Sequence, residues 1–518
     1  MGPNALRAAL TRGEFVYSAE LVLGRDHAIP DAEQFVADAA ATAEGIRVIS
    51  ATDLPGGNPA LPPEAFVAAV QAQGLTPIAH LTGKDGNRAF LEGRLHALAR
   101  LGVANILCLT GDAHKDGFAG AAKPVYDLDS VLILDLVNAM RAGLPYSVGP
   151  RQAQTTPFDF FPGAAVNPYK TREPDQMMQL FKLELKIASG AQYIITQLGY
   201  NLRKLYELKQ YLRREGLEHI PVIPSIYVPT ATIAKLMRAG EVAGCVVPDA
   251  LIQALEGEKK PQRLERAALM VAAVKGLDFA GAHIGGFGLS HADFMTIRER
   301  AAEIGDGWRD RLDELILEVP GEYYLFPKGK DGFSDDTQPY QIGTMPYGLS
   351  FTQRLCRAIN QLMIAEGSPG ARFWAARLRG DTKAEWRRGF WYQLLAAADV
   401  FKRRTFGCVQ CGDCVADYLG YTLCSQGRCY KELRNGPCGG SRIDGTCEVN
   451  PDQQCVWNLA YLATLAQHED PRKFAETLVP PRDWSLNRTH SLANHYKHLD
   501  NTPKRKSVSA SKEPPPDE

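Results

Sequence analysis

The chain has 518 residues, enough for two or three domains, and its 58 basic and 59 acidic side chains leave a net charge of −1. That balance provides no electrostatic footprint for nucleic acid. No apolar run approaches the ~18 residues of a membrane-spanning helix, and the opening residues lack a secretory pattern, so a cytoplasmic location is expected.

Short apolar runs rich in β-formers recur through the first three hundred residues. They fall at 15–21, 47–51, 76–81, 104–109, 158–165, 193–197, 222–226 and 281–285. Amphipathic helical stretches lie between most of them, at 30–43, 62–73, 88–101, 176–189 and 263–275. Eight strand–helix repeats in about 290 residues predict an α/β fold of the closed (β/α)8 TIM barrel type, with a doubly wound open sheet as the alternative. A barrel carries its chemistry at the C-terminal ends of its strands. The polar residues there are Glu20, Thr52, Asp53, His80, Thr82, Asp112, Asn167, Gln197, Tyr200, Asn201, Tyr227 and His283.

Glu20 lies in an apolar strand, where a carboxylate must be paired, protonated or functional. Burial there is expected to raise its pKa toward that of a general acid, with a neighbouring basic residue as the bland explanation. Asp112 follows a buried strand at a glycine turn, where a helix N-cap is the alternative role. Gln197 closes its strand with an amide able to pair donor and acceptor with a heterocycle.

The domain divisions expected are a barrel over 1–305, a helical and loop connection over 306–400, a cysteine-rich domain over 401–475, and a largely disordered tail over 476–518. Within the connection, Trp308, Trp374, Trp386 and Trp391 read as packing residues, and 321–339 as an exposed link. Eight of the eleven cysteines fall between Cys408 and Cys455: Cys408, Cys411, Cys414, Cys424, Cys429, Cys438, Cys447 and Cys455. In a reducing compartment such a cluster binds metal more readily than it forms disulfides. Cys408-x2-Cys411-x2-Cys414 is the spacing that wraps a [4Fe–4S] cube with a distant fourth ligand. Zinc, which favours paired Cys-x2-Cys knuckles, is the alternative. Spacing leaves open two cubes, a cube plus zinc, or one cube with spare thiols.

Four segments, Ser18-Ala19-Glu20-Leu21, His80-Leu81-Thr82, Leu109-Thr110-Gly111-Asp112 and Ile194-Ile195-Thr196-Gln197, resemble methylenetetrahydrofolate reductases in order and approximate spacing. The stretch from Phe161 to Pro168 and the one from Gln197 to Asn201 resemble the branch whose flavin subunit works with a cysteine-rich partner. Arg434-Asn435-Gly436-Pro437-Cys438-Gly439-Gly440 is similar to that partner, so the two look fused in one chain. The resemblance implies a noncovalent flavin, FAD in preference to FMN, with folate stacked on its face. It implies that Glu20 protonates the bridging nitrogen of methylenetetrahydrofolate and that Asp112 stabilises the iminium formed. Gln197 and Tyr200 are carried over as folate-binding residues. Thr52, His80, Thr82, Asp112, Ala164, Asn167 and Lys186 are carried over as flavin-contacting, Lys186 toward phosphate. The partners implied are tetrahydrofolate derivatives, NADH or a ferredoxin-like electron carrier, and a possible second copy of the chain. Strand one departs from the family pattern in Leu21-Val22-Leu23-Gly24-Arg25, and Gln179 and Leu185 stand where acidic and arginine flavin contacts are expected. A related flavoenzyme on another one-carbon carrier, and a zinc-stapled interaction protein with an inert barrel, are the competing readings.

Overall fold

A computed structural model describes residues 4–42, 44–115, 117–365, 367–379, 386–420 and 423–508. Nine parallel strand segments form one sheet: β1 (Val16–Leu21), β2 (Val48–Ala51), β3 (Thr76–Thr82), β4 (Asn105–Leu109), β5 (Phe161–Val166), β6 (Tyr193–Thr196), β7 (Val222–Ile223), β8 (Ser225–Tyr227) and β9 (Gly281–Gly285). Their order is β8-β9-β1-β2-β3-β4-β5-β6-β7. The two ends of that list are consecutive in the chain. β7 and β8 are one strand interrupted at Pro224, which has no N–H to give to a ladder. Ser225 repairs the break, its N–H donating to Thr196 Oγ1 at 3.0 Å and its hydroxyl to the Thr196 carbonyl at 2.6 Å. The sheet therefore closes into the expected eight-position TIM barrel, and the open-sheet alternative falls.

Period-two alternation sends every second strand residue inward. Val16, Val48, Ile78, Leu107, Phe161, Tyr193 and Ile223 form an apolar floor, plugged from below by Leu6 and Leu10 of the helix Ala5–Thr11. One step higher the interior becomes polar, with Ser18, Ser50, His80 and His283 all buried. Outside the ring lie the barrel helices; Asp129 caps the helix Ser130–Ala142 by accepting from the amides of Val131 and Leu132, both at 3.1 Å.

The segment after the barrel is not an exposed link. Leu325, Phe326, Phe333 and Ser334 are buried against the helix Leu202–Arg214. Glu207 fixes them by accepting from the amides of Leu325 and Phe326 at 3.1 and 3.2 Å and from Ser334 Oγ at 2.5 Å. A sequence rich in Gly, Lys and Asp hides this because the anchoring comes from a glutamate a hundred residues away. Trp308 is buried in the main core, and Trp374, Trp386 and Trp391 pack around Leu378, Leu395, Ala493 and Tyr496.

The tail expectation also needs correcting. Residues 509–518 lie outside the described residues, but 476–508 fold back onto the cysteine-rich segment. Thr477–Leu478 pairs antiparallel with Lys506–Ser507, and Val479, Leu486, Ala493 and Asn494 are buried. The fully buried Asp413 carboxylate accepts from Asn501 N and Nδ2 at 3.0 and 2.7 Å and from Asp483 N at 3.1 Å. Polar residues that pair with one another can be buried without an apolar signature.

Candidate active site

A cavity of about 610 Å³ opens at the C-terminal ends of the strands. Glu20 from β1, Thr52 after β2, His80 and Thr82 of β3, Asp112 after β4, Asn167 after β5, Gln197 after β6 and Lys186 of the helix Glu173–Ala188 all line it. Its far wall comes from the cysteine-rich segment: Lys431, Cys438, Gly439, Gly440 and Glu448.

Glu20 sits between two histidines. His283 Nε2 lies 3.4 Å from its carboxylate, and the ligating atoms of Glu20, His80 and His283 all lie within 4.8 Å of one another. The outer nitrogens are anchored by hydroxyls, His283 Nδ1 to Ser18 Oγ at 2.8 Å and His80 Nε2 to Ser50 Oγ at 2.6 Å. Burial pushes the Glu20 carboxyl up, but the interactions with His283, its hydrogen bond first, hold the carboxyl below its ordinary value. This overturns the expectation that burial alone would make Glu20 a weak acid; its imidazole neighbours come from strands distant in sequence. Burial drives His80 down to about 4, so its ring is neutral at physiological pH.

Asp112 behaves in the opposite way. Burial raises its carboxyl above the ordinary range against the pull of Lys431 and Lys84 and a hydrogen bond from the Gly56 backbone. Lys431, 3% exposed at its side chain, pairs with Glu448 and donates to the Gly111 carbonyl at 2.7 Å. The Gly111–Asp112 turn is thus held by a residue 320 positions downstream. The facing loop must be glycine at Gly57, whose φ is +75° and where a Cβ would fall 1.8 Å from the Ala113 carbonyl oxygen.

Several polar groups position loops. Thr52 Oγ1 accepts from Leu23 N at 2.9 Å, and Thr82 donates through N and Oγ1 to Asp53, both at 2.8 Å. Asn167 donates to the Gly244 carbonyl at 2.7 Å, and Gln197 Oε1 accepts from Leu198 N at 3.0 Å. Two of the expected residues do not line the cavity. Ala164 points out of the barrel into the helical layer, and its neighbour Ala165 lines the cavity, a one-residue difference that alternation makes decisive. Tyr200 lies behind the wall, packed with Ala234, Met237, Val247 and Leu251.

Lys186 is buried, donates to the Ala165 carbonyl at 2.5 Å, and is pushed down to about 7 by burial and by Lys182. Lys182 reaches Asp129 at 3.4 Å and the Gly436 carbonyl at 3.2 Å. The helix that carries both lysines is buried along almost its whole length because the cysteine-rich segment covers its outer face. Asn458 Nδ2 donates to Asp175 at 2.5 Å, Tyr461 OH to Glu173 at 2.7 Å, and Lys170 Nζ to the Ser441 carbonyl at 2.7 Å.

The eight thiols sort into two neighbourhoods. Burial raises the Cys424 thiol, and Cys414, Cys411 and Cys408 lie near enough to add to that rise. Cys429, Cys438, Cys447 and Cys455 line a second, smaller cavity in the cysteine-rich segment. Cys438 lines both this cavity and the barrel cavity. Lys431, Glu448 and His283 were the contributors hardest to assign from sequence; only His283 stood at a strand end.

The family described as "Methylenetetrahydrofolate reductase" matches residues 5–300, and "Methylene-tetrahydrofolate reductase C terminal" matches residues 392–485. A curated relative, Methylenetetrahydrofolate reductase 2 of Schizosaccharomyces pombe, is 28% identical over 190 residues, which are 35% of this chain and 27% of the relative. The aligned part therefore spans about a quarter of that relative's length. An uncharacterised protein from Clostridium thermocellum, which binds two copies of 5-methyl-5,6,7,8-tetrahydrofolic acid, superposes with a TM-score of 0.39 at 14% identity, covering 58% of this chain and 98% of that one. EDTA monooxygenase from Chelativorans sp. BNC1 gives a TM-score of 0.36 at 12% identity, covering 59% and 97%. Because the reductase pattern spans residues 5–300, more than half of the 518 positions, the chain belongs to the methylenetetrahydrofolate reductase family.

Proposed function

We propose that the chain is a flavin-dependent oxidoreductase interconverting 5,10-methylenetetrahydrofolate and 5-methyltetrahydrofolate, with electrons passing through iron–sulfur clusters in its cysteine-rich segment. The observation that carries this reading is convergence: Glu20, Asp112 and Gln197, from three strand ends, line one cavity with Lys186 at its side. The cavity fits a flavin. Lys186, on the cavity wall, is a buried amine lowered to about 7 by burial and by Lys182, and a phosphate anion beside it would favour its charged form. Such a flavin supplies hydride transfer, and the clusters supply single-electron exchange. Glu20 delivers a proton to the nitrogen of the opening ring. Asp112 opposes the positive charge that develops on carbon. Gln197 offers its amide to the pterin edge.

The cysteine neighbourhoods support a cube around Cys408, Cys411, Cys414 and Cys424 and a second around Cys429, Cys438, Cys447 and Cys455. Cys438, on the wall of the barrel cavity, makes the second group the one that reaches that cavity.

The test is anaerobic mixing of the purified protein with 5-methyltetrahydrofolate while the visible spectrum is recorded. Bleaching of a flavin band with formation of methylenetetrahydrofolate is expected, as is its loss by a factor of about 100 or more in Glu20→Gln with folate still bound. A flavin that does not respond overturns the reading. Iron and acid-labile sulfide analysis should find about eight of each per chain for two cubes; zinc without sulfide overturns the electron-transfer assignment.

A further inference from the structure

The helix Phe351–Met363 turns its apolar side to solvent. Its start is fixed by a capping box: Ser350 Oγ accepts from Gln353 N at 3.2 Å, and the Gln353 side chain accepts from Ser350 N at 2.8 Å. With that phase, Phe351, Leu355, Ile359 and Leu362 fall on one stripe. A stripe of this kind normally faces a core. Here Phe351 is 82% and Leu362 59% exposed, whereas Cys356, off the stripe, is buried. The Cys356 thiol hydrogen-bonds to Thr405 of the helix Asp399–Phe406, so the less apolar side of the helix is the one that packs.

The exposed apolar surface continues onto neighbouring helices. Phe373 of the helix Pro369–Arg379 and Phe390 of the helix Phe390–Ala396 are exposed, and both meet Trp391 edge-on, at centroid distances of 5.9 and 5.1 Å. Val400, Phe401 and Val409 are exposed as well. Exposed arginines lie among them in the chain: Arg354, Arg372, Arg377, Arg403 and Arg404. The Arg377 guanidinium lies over the Phe373 and Trp391 rings at 5.4 and 5.0 Å. Residues 350–410 hold eleven basic and four acidic side chains in a chain whose net charge is −1. Among the described residues of that stretch the only carboxylate is Asp399, which is buried and pairs with His490 at 3.0 Å.

Large exposed apolar patches mark interaction sites, and aromatic residues with arginine and few carboxylates are the composition of an interface core. Charge decides what covers this one. In a two-fold contact with a second copy the patch meets itself. Arginines would then face arginines, and the described residues of the stretch offer no exposed carboxylate to answer them. An acidic partner supplies the missing charge. Position decides the partner's chemistry. The helix Asp399–Phe406 stops at Gly407, in the left-handed region at φ +65°, and Cys408 and the exposed Val409 follow directly. Cys408, Cys411, Cys414 and Cys424 line neither the barrel cavity nor the smaller one. The thiol group that stands apart from the barrel cavity is therefore the one that borders the patch.

We propose that this apolar and basic face, from the helix Phe351–Met363 to Cys408, is the docking surface for an acidic protein that carries single electrons. The redox role of the partner rests on the reductase reading above; the surface and its charge do not. Methylenetetrahydrofolate takes up two electrons and two protons to become methyltetrahydrofolate. In that direction the carrier loses one electron on each of two visits, and in the opposite direction it gains them. Such encounters are small and short-lived, and charge steers them more than apolar burial holds them.

The test uses the full-length protein with its cofactors and measures equilibrium binding by microscale thermophoresis, without turnover. The probe is an acidic plant-type [2Fe–2S] ferredoxin, and basic cytochrome c is the control. The ferredoxin should bind with a micromolar Kd at about 20 mM salt and about tenfold or more weakly at about 300 mM, and cytochrome c should not bind. Arg403→Glu/Arg404→Glu should weaken ferredoxin binding about 30-fold at low salt, and Phe351→Ser/Leu362→Ser about threefold. All four side chains are exposed, and flavin and iron contents equal to those of the unaltered protein establish that the variants fold. An affinity unchanged in both double variants, or one indifferent to salt, overturns the inference. If the ferredoxin does not bind and Phe351→Ser/Leu362→Ser instead abolishes a dimer seen by sedimentation, the face belongs to a second copy and the inference falls. It falls equally if that variant instead abolishes attachment to vesicles of phosphatidylcholine and phosphatidylserine in equal parts. Ferredoxin binding as expected in a protein that does not respond to folate removes the reductase reading and leaves the docking surface standing.

Discussion

Removal of Arg472 tests whether barrel and cysteine-rich segment form one electrostatic unit. Its guanidinium meets Glu184 at 2.8 and 3.1 Å and Glu215 at 3.2 Å, and Glu184 also accepts from Tyr211. The Glu184 side chain is 7% exposed, and burial already raises its carboxyl above the ordinary value with Arg472 pulling the other way. In Arg472→Met that opposition disappears and the carboxyl must stay charged without its cation or take up a proton. Protonation at pH 7 from a reference near 4.3 sets an upper bound of about 4 kcal/mol, at 1.36 kcal/mol per unit. Arg472 is itself 31% exposed, so solvent screening reduces the expected loss to about 2–3 kcal/mol. A carboxyl raised in the fold binds protons more tightly there than in the unfolded chain, so the deficit is present at neutral pH and fades as pH falls. By pH 5 it should be about 1 kcal/mol or less. Scanning calorimetry at matched scan rates should show a Tm lower by about 3–5 °C at pH 7.5 and by about 1 °C at pH 5. The double variant Glu184→Gln/Arg472→Met, which removes the stranded charge, should recover most of the loss. A deficit equal at both pH values, or no recovery, would refute the reasoning and leave packing of the arginine stem as the cause.

Two further outcomes follow from the cavity wall. His80, neutral in the fold with its value near 4, must be compared with about 6.5 when unfolded, so the unfolded chain takes up the extra proton as pH falls between these values. Stability should drop by about 3 kcal/mol across that window, and His80→Gln should flatten the dependence in pH-resolved denaturation; an unchanged slope would place the ring's acid–base behaviour elsewhere. Gly57→Ala sets a methyl 1.8 Å from the Ala113 carbonyl oxygen at a φ of +75°. The displaced loops should cost about 1–3 kcal/mol and loosen flavin, read as a lower flavin-to-protein ratio after gel filtration; full retention would separate these loops from cofactor binding.

Much of the barrel was legible because alternation and length identify a strand without reference to its neighbours. All eight strand positions fall where apolar β-rich runs were counted, and Glu20, Asp112 and Gln197 come together because a closed parallel barrel gathers its strand ends. Local pattern was weaker where one residue decides the face: Ala164 and Ala165 are chemically identical, and only sheet register assigns the cavity to the second. Tyr200 likewise lies off the cavity, its aromatic side chain packed with Ala234 and Met237 after the strand had ended.

By itself, then, the sequence determined what short-range chemistry can encode: the strand repeats, the glycine turns, the acidic residue in an apolar strand, and thiols spaced for a cluster. Tertiary structure decided everything that depends on partners distant along the chain. It divided eight cysteines into two neighbourhoods, placed Lys431 against the Asp112 turn, folded residues 476–508 around Asp413, and set His283 and His80 beside Glu20. The last of these reversed the pKa expected for a buried carboxylate. Burial is a property that an apolar stretch announces, whereas the charge and hydrogen bonds that oppose it arrive from strands and domains hundreds of residues away.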